Sequence, residues 1–142
     1  MASKKKLIKL PKLLAETQKI VNASIRKRDG LCLRCKENDK IVTTNLNAHH
    51  FCVAQGSSSL LRFEPRNLMT LCVGCHRFWY HPAADVVKTL ELKHIAIKNG
   101  ICTEEDIEEM ISRRHETKKW TRYELEEIKE KYTDTTQIIT NH

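Results

Sequence analysis

Four of the six cysteines fall into two pairs, Cys32-Leu-Arg-Cys35 and Cys72-Val-Gly-Cys75, with 36 residues between them. Each pair can turn two thiolates toward one ion, and two pairs complete a tetrahedral set. A redox dithiol needs only one such pair. The spacing therefore predicts a structural zinc ion held by Cys32, Cys35, Cys72 and Cys75. Binding that ion would contribute folding free energy directly and would clip together two distant points of the chain. Such a clip matters here, because the chain has only 142 residues, of which 30% are charged and 6% aromatic. A modest core of that size is often stiffened by a metal or a partner. Metal rather than disulfide use requires a reducing compartment. Residues 1–6 are basic, but Lys9, Pro11 and Lys12 interrupt the apolar stretch that an export signal would need. No apolar run approaches the roughly 20 residues that span a bilayer. A soluble, cytoplasmic protein with no membrane partner is expected, with Cys52 and Cys102 as ordinary buried thiols.

The net charge of +7 is unevenly spread: +8 over residues 1–28, +3 over 29–98 and −4 over 99–142. A basic end and middle suit a polyanion, with nucleic acid the first choice and a solubilising tail the plainer account. Pro11 can open a helix. Leu13, Leu14, Thr17, Ile20, Val21, Ser24 and Ile25 then recur at helical spacing until Asp29-Gly30 breaks it. Lys5, Lys12, Lys19 and Arg26 recur every seven residues, so Lys12, Lys19 and Arg26 form a basic stripe beside that apolar face. These three are the candidate nucleic-acid contacts of the segment. Three parts follow: a basic helical segment (1–28), a metal-ligand-rich domain (29–99) and a helical extension (100–142).

Within the domain, residues 41–44 and 46–51 read as the strands of a hairpin, 56–59 as a flexible loop and 67–72 as an extended segment entering a turn. Pro82 suits the start of a further helix with Ala83, Val86, Val87, Leu90, His94 and Ile97 on its buried face, ended by Asn99-Gly100. Thr103 with Asp106 resembles a capping box for a helix over about 104–115. Residues 120–132 read as a last packing helix, with the final ten residues frayed.

Between and just beyond the cysteine pairs stand Ala48-His49-His50-Phe51, Asn67 and His76, the last directly after Cys75 and separated from Asn67 by eight residues. With the two cysteine pairs, this order resembles the HNH endonuclease family over roughly residues 29–81. The resemblance implies an α+β fold with a small ββα-metal (His-Me finger) centre on a Cys₄ zinc scaffold with flanking helices. It also implies a metal-dependent endonuclease that hydrolyses DNA to 5′-phosphate and 3′-hydroxyl ends. By the same resemblance His50 is the general base, with an ordinary pKa of about 6.5 suited to taking a proton from water. His49 and His76 are ligands of a catalytic divalent ion, Mg²⁺ or Mn²⁺, and no small-molecule cofactor is implied. Many family members carry an acid where this chain has His49, which keeps a ligand but makes it neutral and softer and leaves the metal preference open. Asn67 is expected to bond across the loop and hold His50 in place. His81 is a third candidate ligand. Some family members carry a second histidine four positions after the first, whereas here the gap is five and Pro82 follows, so a surface or capping role stands beside it. His94, His115 and His142 read as ordinary core or surface histidines.

The loop from Gly56 to Arg66 offers hydroxyls and two guanidinium groups, Arg62 and Arg66, that could grip phosphates beside a cut. From His49 through Leu61-Arg62-Phe63 to Asn67 and the second cysteine pair, the chain is also similar to phage NinG-type recombination nucleases. That likeness implies branched DNA as substrate and a bacterial host for a phage-encoded protein. A zinc-scaffolded DNA-binding module without catalysis is the rival from another class. One small centre cuts one strand, so double-strand cleavage would call for a homodimer or two events.

Overall fold

The structure, a computed structural model, describes residues 7–81 and 85–140, with side chains in the last helix described as far as residue 133. Among these residues, five α-helices surround one two-stranded antiparallel sheet. In chain order they are α1 (Leu10–Asp29), α2 (Leu33–Glu37), β1 (Leu46–His50), β2 (Leu68–Cys72), α3 (Val86–Lys98), α4 (Glu104–Ser112) and α5 (Arg122–Thr140). A 3₁₀ turn, Pro65–Asn67, leads into β2, and a π-helix, Gly74–Tyr80, leaves it. The chain is a small mixed α/β domain. Lys5, Pro82, Ala83 and His142 lie outside the described residues. No helix among the described residues is long and apolar enough to cross a membrane.

The sheet divides two small cores. Alternate side chains of a strand point to opposite faces. Leu68 accordingly joins Leu13, Val21, Ile25, Phe63 and Leu125 between α1 and α5. Met69 and Leu71 point the other way, to Leu33, Phe51, Leu92, Ile95 and Met110. Helix α1 forms as its periodicity predicts, with Leu13, Thr17, Val21, Ser24 and Ile25 buried, and it ends at Gly30 with φ 74°, a left-handed cap that glycine adopts without steric cost. Its last turn also covers the outer edge of β2. The Thr70 amide donates to Asp29 Oδ2 (2.9 Å), and Arg28 donates to the carbonyls of Leu68 (2.6 Å) and Pro65 (3.0 Å). A bare strand edge invites pairing with another chain, and these bonds close it.

Three expectations are corrected. Residues 41–44 form no strand, and β1 pairs instead with β2, Ala48 opposite Thr70 and His49 opposite Met69. The β-branched run Ile-Val-Thr-Thr reads as a strand by propensity, but its backbone serves the first cysteine pair. The Cys32 amide donates to the Val42 carbonyl (2.9 Å), and positive φ at Asp39 and Asn45 turns the chain on either side. Helix α3 buries Leu92, Ile95 and Ala96, not Val86, Val87 and Leu90, which are exposed. Apolar residues stand on nearly every side of that helix, so spacing alone could not select the face. Helix α5 continues to Thr140 rather than fraying over its last ten residues. The capping box at Thr103 and Asp106 forms as expected, and α4 ends at Ser112.

Candidate metal centre

The two cysteine pairs converge. Cys32, Cys35, Cys72 and Cys75 bring one sulfur each to within 4.8 Å of the others. Cys35 Sγ lies 3.7 Å from both Cys72 Sγ and Cys75 Sγ. A tetrahedral zinc site with Zn–S bonds of about 2.3 Å has sulfur–sulfur edges of roughly 3.8 Å. The local fold explains the aim of the thiolates. In each pair the second cysteine's amide donates to the first cysteine's sulfur, Cys35 to Cys32 at 3.4 Å and Cys75 to Cys72 at 3.5 Å. Burial first, then the neighbouring sulfurs, pushes Cys35 up, and burial pushes Cys75 up to about 11 despite the nearby Arg34, whereas at Cys72 burial is outweighed by hydrogen bonds from Cys75 and the other sulfurs, which lower it. Four sulfurs this close ionise together only around a cation. The residues fit a structural ion such as Zn²⁺. Arg34 supports the site from outside: it donates to Cys75 Sγ (3.5 Å) and lies 3.6 Å over the Trp79 ring.

A second cluster lies beyond the end of the sheet. His49 comes from β1, His76 from the π-helix and His81 from its end, with one ring nitrogen of each within 4.8 Å of the others. The Nε2 atoms of His76 and His81 are 2.9 Å apart. The π-helix explains why a spacing of five residues brings them together. Its backbone bonds run from residue i to i+5, and the His81 amide donates to the His76 carbonyl. His49 Nε2 and His76 Nδ1 are buried with no hydrogen-bond partner. Burial, then the charges of His76, His81 and His50, pushes His49 down to about 3. Burial, then His81 and Arg77, lowers His76. His49 and His76 are thus held neutral, the state in which imidazole binds a metal. The group fits a divalent ion, and among the described residues its donors are imidazoles without a carboxylate.

His50 stands beside this cluster and plays a different part in the geometry. Register places His49 and His50 on opposite faces of β1, yet at the strand's end both line one cavity of about 270 Å³ with Ala54, Gln55, His76 and His81. His50 Nε2 lies 2.9 Å from the Arg62 carbonyl. A carbonyl only accepts, so Nε2 carries the hydrogen and the neutral ring keeps its lone pair on Nδ1. Burial lowers the pKa of His50, the Arg62 carbonyl partly restores it, and the Arg62 charge lowers it again. Asn67 is fully buried where β1 gives way to the loop. Its Oδ1 accepts from the amides of Cys52 (3.1 Å) and Val53 (2.8 Å), and its Nδ2 donates to the Val53 carbonyl (2.8 Å). Its backbone carbonyl accepts from Phe51 (3.1 Å). The residues that follow His50 are thereby tied to the start of β2.

The basic candidates fare unequally. Lys12 and Lys19 are exposed, and Arg26 is half-buried in a shallow depression with Lys27, Thr43 and Asn45. Arg62 is occupied by Gln18 Oε1 (3.1 Å). Arg66 is engaged by carboxylates, pairing with Glu64, Asp106 (2.8 Å) and Glu109 (3.2 Å). The loop hydroxyls are likewise used inside the fold. Ser58 donates to the Glu116 carbonyl (2.8 Å) and Ser59 accepts from the Lys118 amide (2.7 Å). Sequence reasoning missed Arg77, an exposed cation near enough to His76 to depress its pKa, although its place directly after His76 was a signal. It also missed Tyr80, whose ring meets His49 edge-on at 4.6 Å. That approach depends on the wide helix and has no signature in α-helical spacing.

A search of curated proteins and of solved structures finds no match to this chain. A protein-family model described as NinG, the bacteriophage lambda NinG protein, matches residues 2–141. The match takes in both cysteine pairs, all four histidines of the cavity and the helices around them, and on that coverage the chain belongs to the phage NinG family.

Proposed function

We propose that this chain is a metal-dependent nuclease that cuts branched DNA in phage recombination. One observation carries the reading: a single cavity holds three histidines whose nitrogens converge and a fourth, His50, that stands outside the cluster with a lone pair on Nδ1. A ligand set next to a separate base is what phosphodiester hydrolysis requires. Pure binding requires neither. In this reading β1, β2 and the π-helix are the ββα unit of an HNH-type centre.

His50 takes a proton from water at Nδ1 while its Nε2–H stays on the Arg62 carbonyl. Burial keeps it neutral at pH 7, as a base must be. Asn67 fixes the chain behind it. His49, His76 and His81 would hold a divalent ion, which would supply Lewis-acid stabilisation of the negative charge that develops during hydrolysis. Three imidazoles suit a first-row transition ion better than Mg²⁺, which favours oxygen ligands. The Mg²⁺ expectation therefore yields to Mn²⁺ or a softer ion. Arg77, exposed and close enough to His76 to depress its pKa, is assigned the flanking phosphate in place of Arg62 and Arg66.

Membership of the NinG family favours the branched substrate over a nuclease without structural preference. The test is a cleavage panel of supercoiled plasmid, linear duplex and four-way junction, run in EDTA and after metal is restored. Nicks at the branch point, faster than in linear duplex and dependent on added Mn²⁺, are expected. Equal rates on all three DNAs would leave a general endonuclease. Binding without cleavage under every divalent ion would leave a zinc-scaffolded binding module.

Affinity for the DNA backbone is assigned to α1. Removing one cation–phosphate interaction flattens the log K against log salt slope by roughly 0.9 on duplex DNA. Replacing Lys12, Lys19 and Arg26 together with Gln is expected to lower that slope by up to about 2.7 and to weaken binding to all sequences alike. A fluorescence-anisotropy salt titration measures it, and an unchanged slope would mean that the stripe does not face DNA.

A further inference from the structure

Helix α3 turns one face to the core and leaves the other bare. Opposite Leu92, Ile95 and Ala96 lie Val86, Val87 and Leu90, which are 74%, 73% and 57% exposed. At Leu90 this stripe runs into a groove of about 310 Å³ between α3 and α4. Ile97 and Ile107 line its floor, Lys93 and His94 stand on the α3 wall, and Glu104 and Glu108 stand on the α4 wall. Among the described residues, Lys93, Glu104 and Glu108 have no ion-pair partner within the chain. Large apolar side chains grouped in this way mark an interaction surface.

We infer that a second copy of this chain docks on this face. The distribution of charge selects that occupant. A patch of one sign fits a partner of the opposite sign. This patch instead carries both signs, on the two walls of one apolar groove. In a two-fold interface residue i meets j while j meets i, so a surface must complement itself. The α3–α4 face does so: Lys93 of each copy meets Glu104 or Glu108 of the other, and the two Val86–Leu90 stripes bury one another. Apolar contact supplies the affinity, and the charge pairs set orientation and exclude wrong partners. A second copy also meets a need of the proposed reaction, since one such centre cuts one strand and resolving a junction takes two cuts. That link rests on the nuclease reading, whereas the surface argument does not.

The test uses the full zinc-loaded chain without DNA, by sedimentation equilibrium at micromolar concentration. The expected mass is twice the chain's 16.5 kDa. Leu90→Glu should sediment as a single chain with unchanged circular dichroism and zinc content. Lys93→Glu and Glu108→Lys should each weaken the dimer, and the two together should restore it. A wild-type chain that sediments alone overturns the proposal, as would occur if this face served a different protein. A Leu90→Glu variant that remains dimeric overturns it too, because the interface would lie elsewhere. On junction DNA the Leu90→Glu monomer should still nick but lose paired cuts. A wild-type dimer that cuts no DNA would sink the nuclease reading while leaving the interface in place.

Discussion

His50→Ala is expected to slow DNA cleavage by about 10²–10⁴-fold, the usual contribution of a positioned general base. DNA affinity should stay close to wild type, because a base acts on the transition state and adds little to ground-state binding. The structure separates this residue's two nitrogens. Nε2 bonds the Arg62 carbonyl, so the substitution removes one hydrogen bond, at a cost of about 1 kcal/mol. That cost is too small to unfold the chain, and the drop in rate can be read as missing chemistry. Zinc content and circular dichroism should not change. His76→Ala supplies the contrast. It removes a member of the converging cluster, so its cleavage should fail to recover when divalent metal is restored, again with the zinc retained. Single-turnover rates on nicked-junction products measure both variants. A His50→Ala protein with more than about a tenth of the wild-type rate would remove His50 from the mechanism.

Much of the site was legible in the sequence because its parts are local. Two Cys-x-x-Cys pairs declare themselves by spacing, and the structure brings their sulfurs together. Asn67 was expected to bond across the loop, and its amide does bridge to Cys52 and Val53. What spacing left out shares a physical origin: each case depends on what else competes for a group. Arg62 and Arg66 read as groups that could grip phosphate, and spacing did not show that Gln18 bonds the first and three carboxylates pair with the second, from residues as far along the chain as Glu109. The run at 41–44 has strand propensity, but closure of the first cysteine pair takes its backbone. His81 illustrates a different limit. Its five-residue gap from His76 argues against a shared face on an α-helix. On the π-helix the gap is one backbone hydrogen bond long, and nothing in local propensity announces a π-helix. Helix α3 shows a third limit, because an all-round apolar helix does not reveal which side meets the core and which is left for a partner.

Cys75→Ser should have the largest effect of any single substitution, abolishing zinc binding and folded structure together. A structural Zn²⁺ site contributes on the order of 10–16 kcal/mol in apparent binding free energy. A small domain's whole stability is only about 5–15 kcal/mol. Here the ion would hold residues 32–35 to residues 72–75, and between those ends lie β1, most of β2 and the loop fixed by Asn67. Cys75 is itself buried and opens into the π-helix that carries His76 and Tyr80. A serine hydroxyl at that point is a poor zinc ligand and would sit beside three unneutralised sulfurs and the Arg34 guanidinium. The expected result is a chain with less than one zinc per molecule, weak helical circular dichroism and no cooperative thermal transition. The same outcome should follow from prolonged chelation of the wild type, whereas brief chelation should strip the three-histidine cluster first. Closed thiolate sites release metal slowly, and an open imidazole site exchanges it readily. Elemental analysis alongside circular dichroism decides the matter. A Cys75→Ser chain that stays folded and zinc-loaded would mean that the four sulfurs do not form the structural site. A His76→Ala chain that loses its zinc would mean that His76 belongs to that ion, leaving the cavity with two converging histidines.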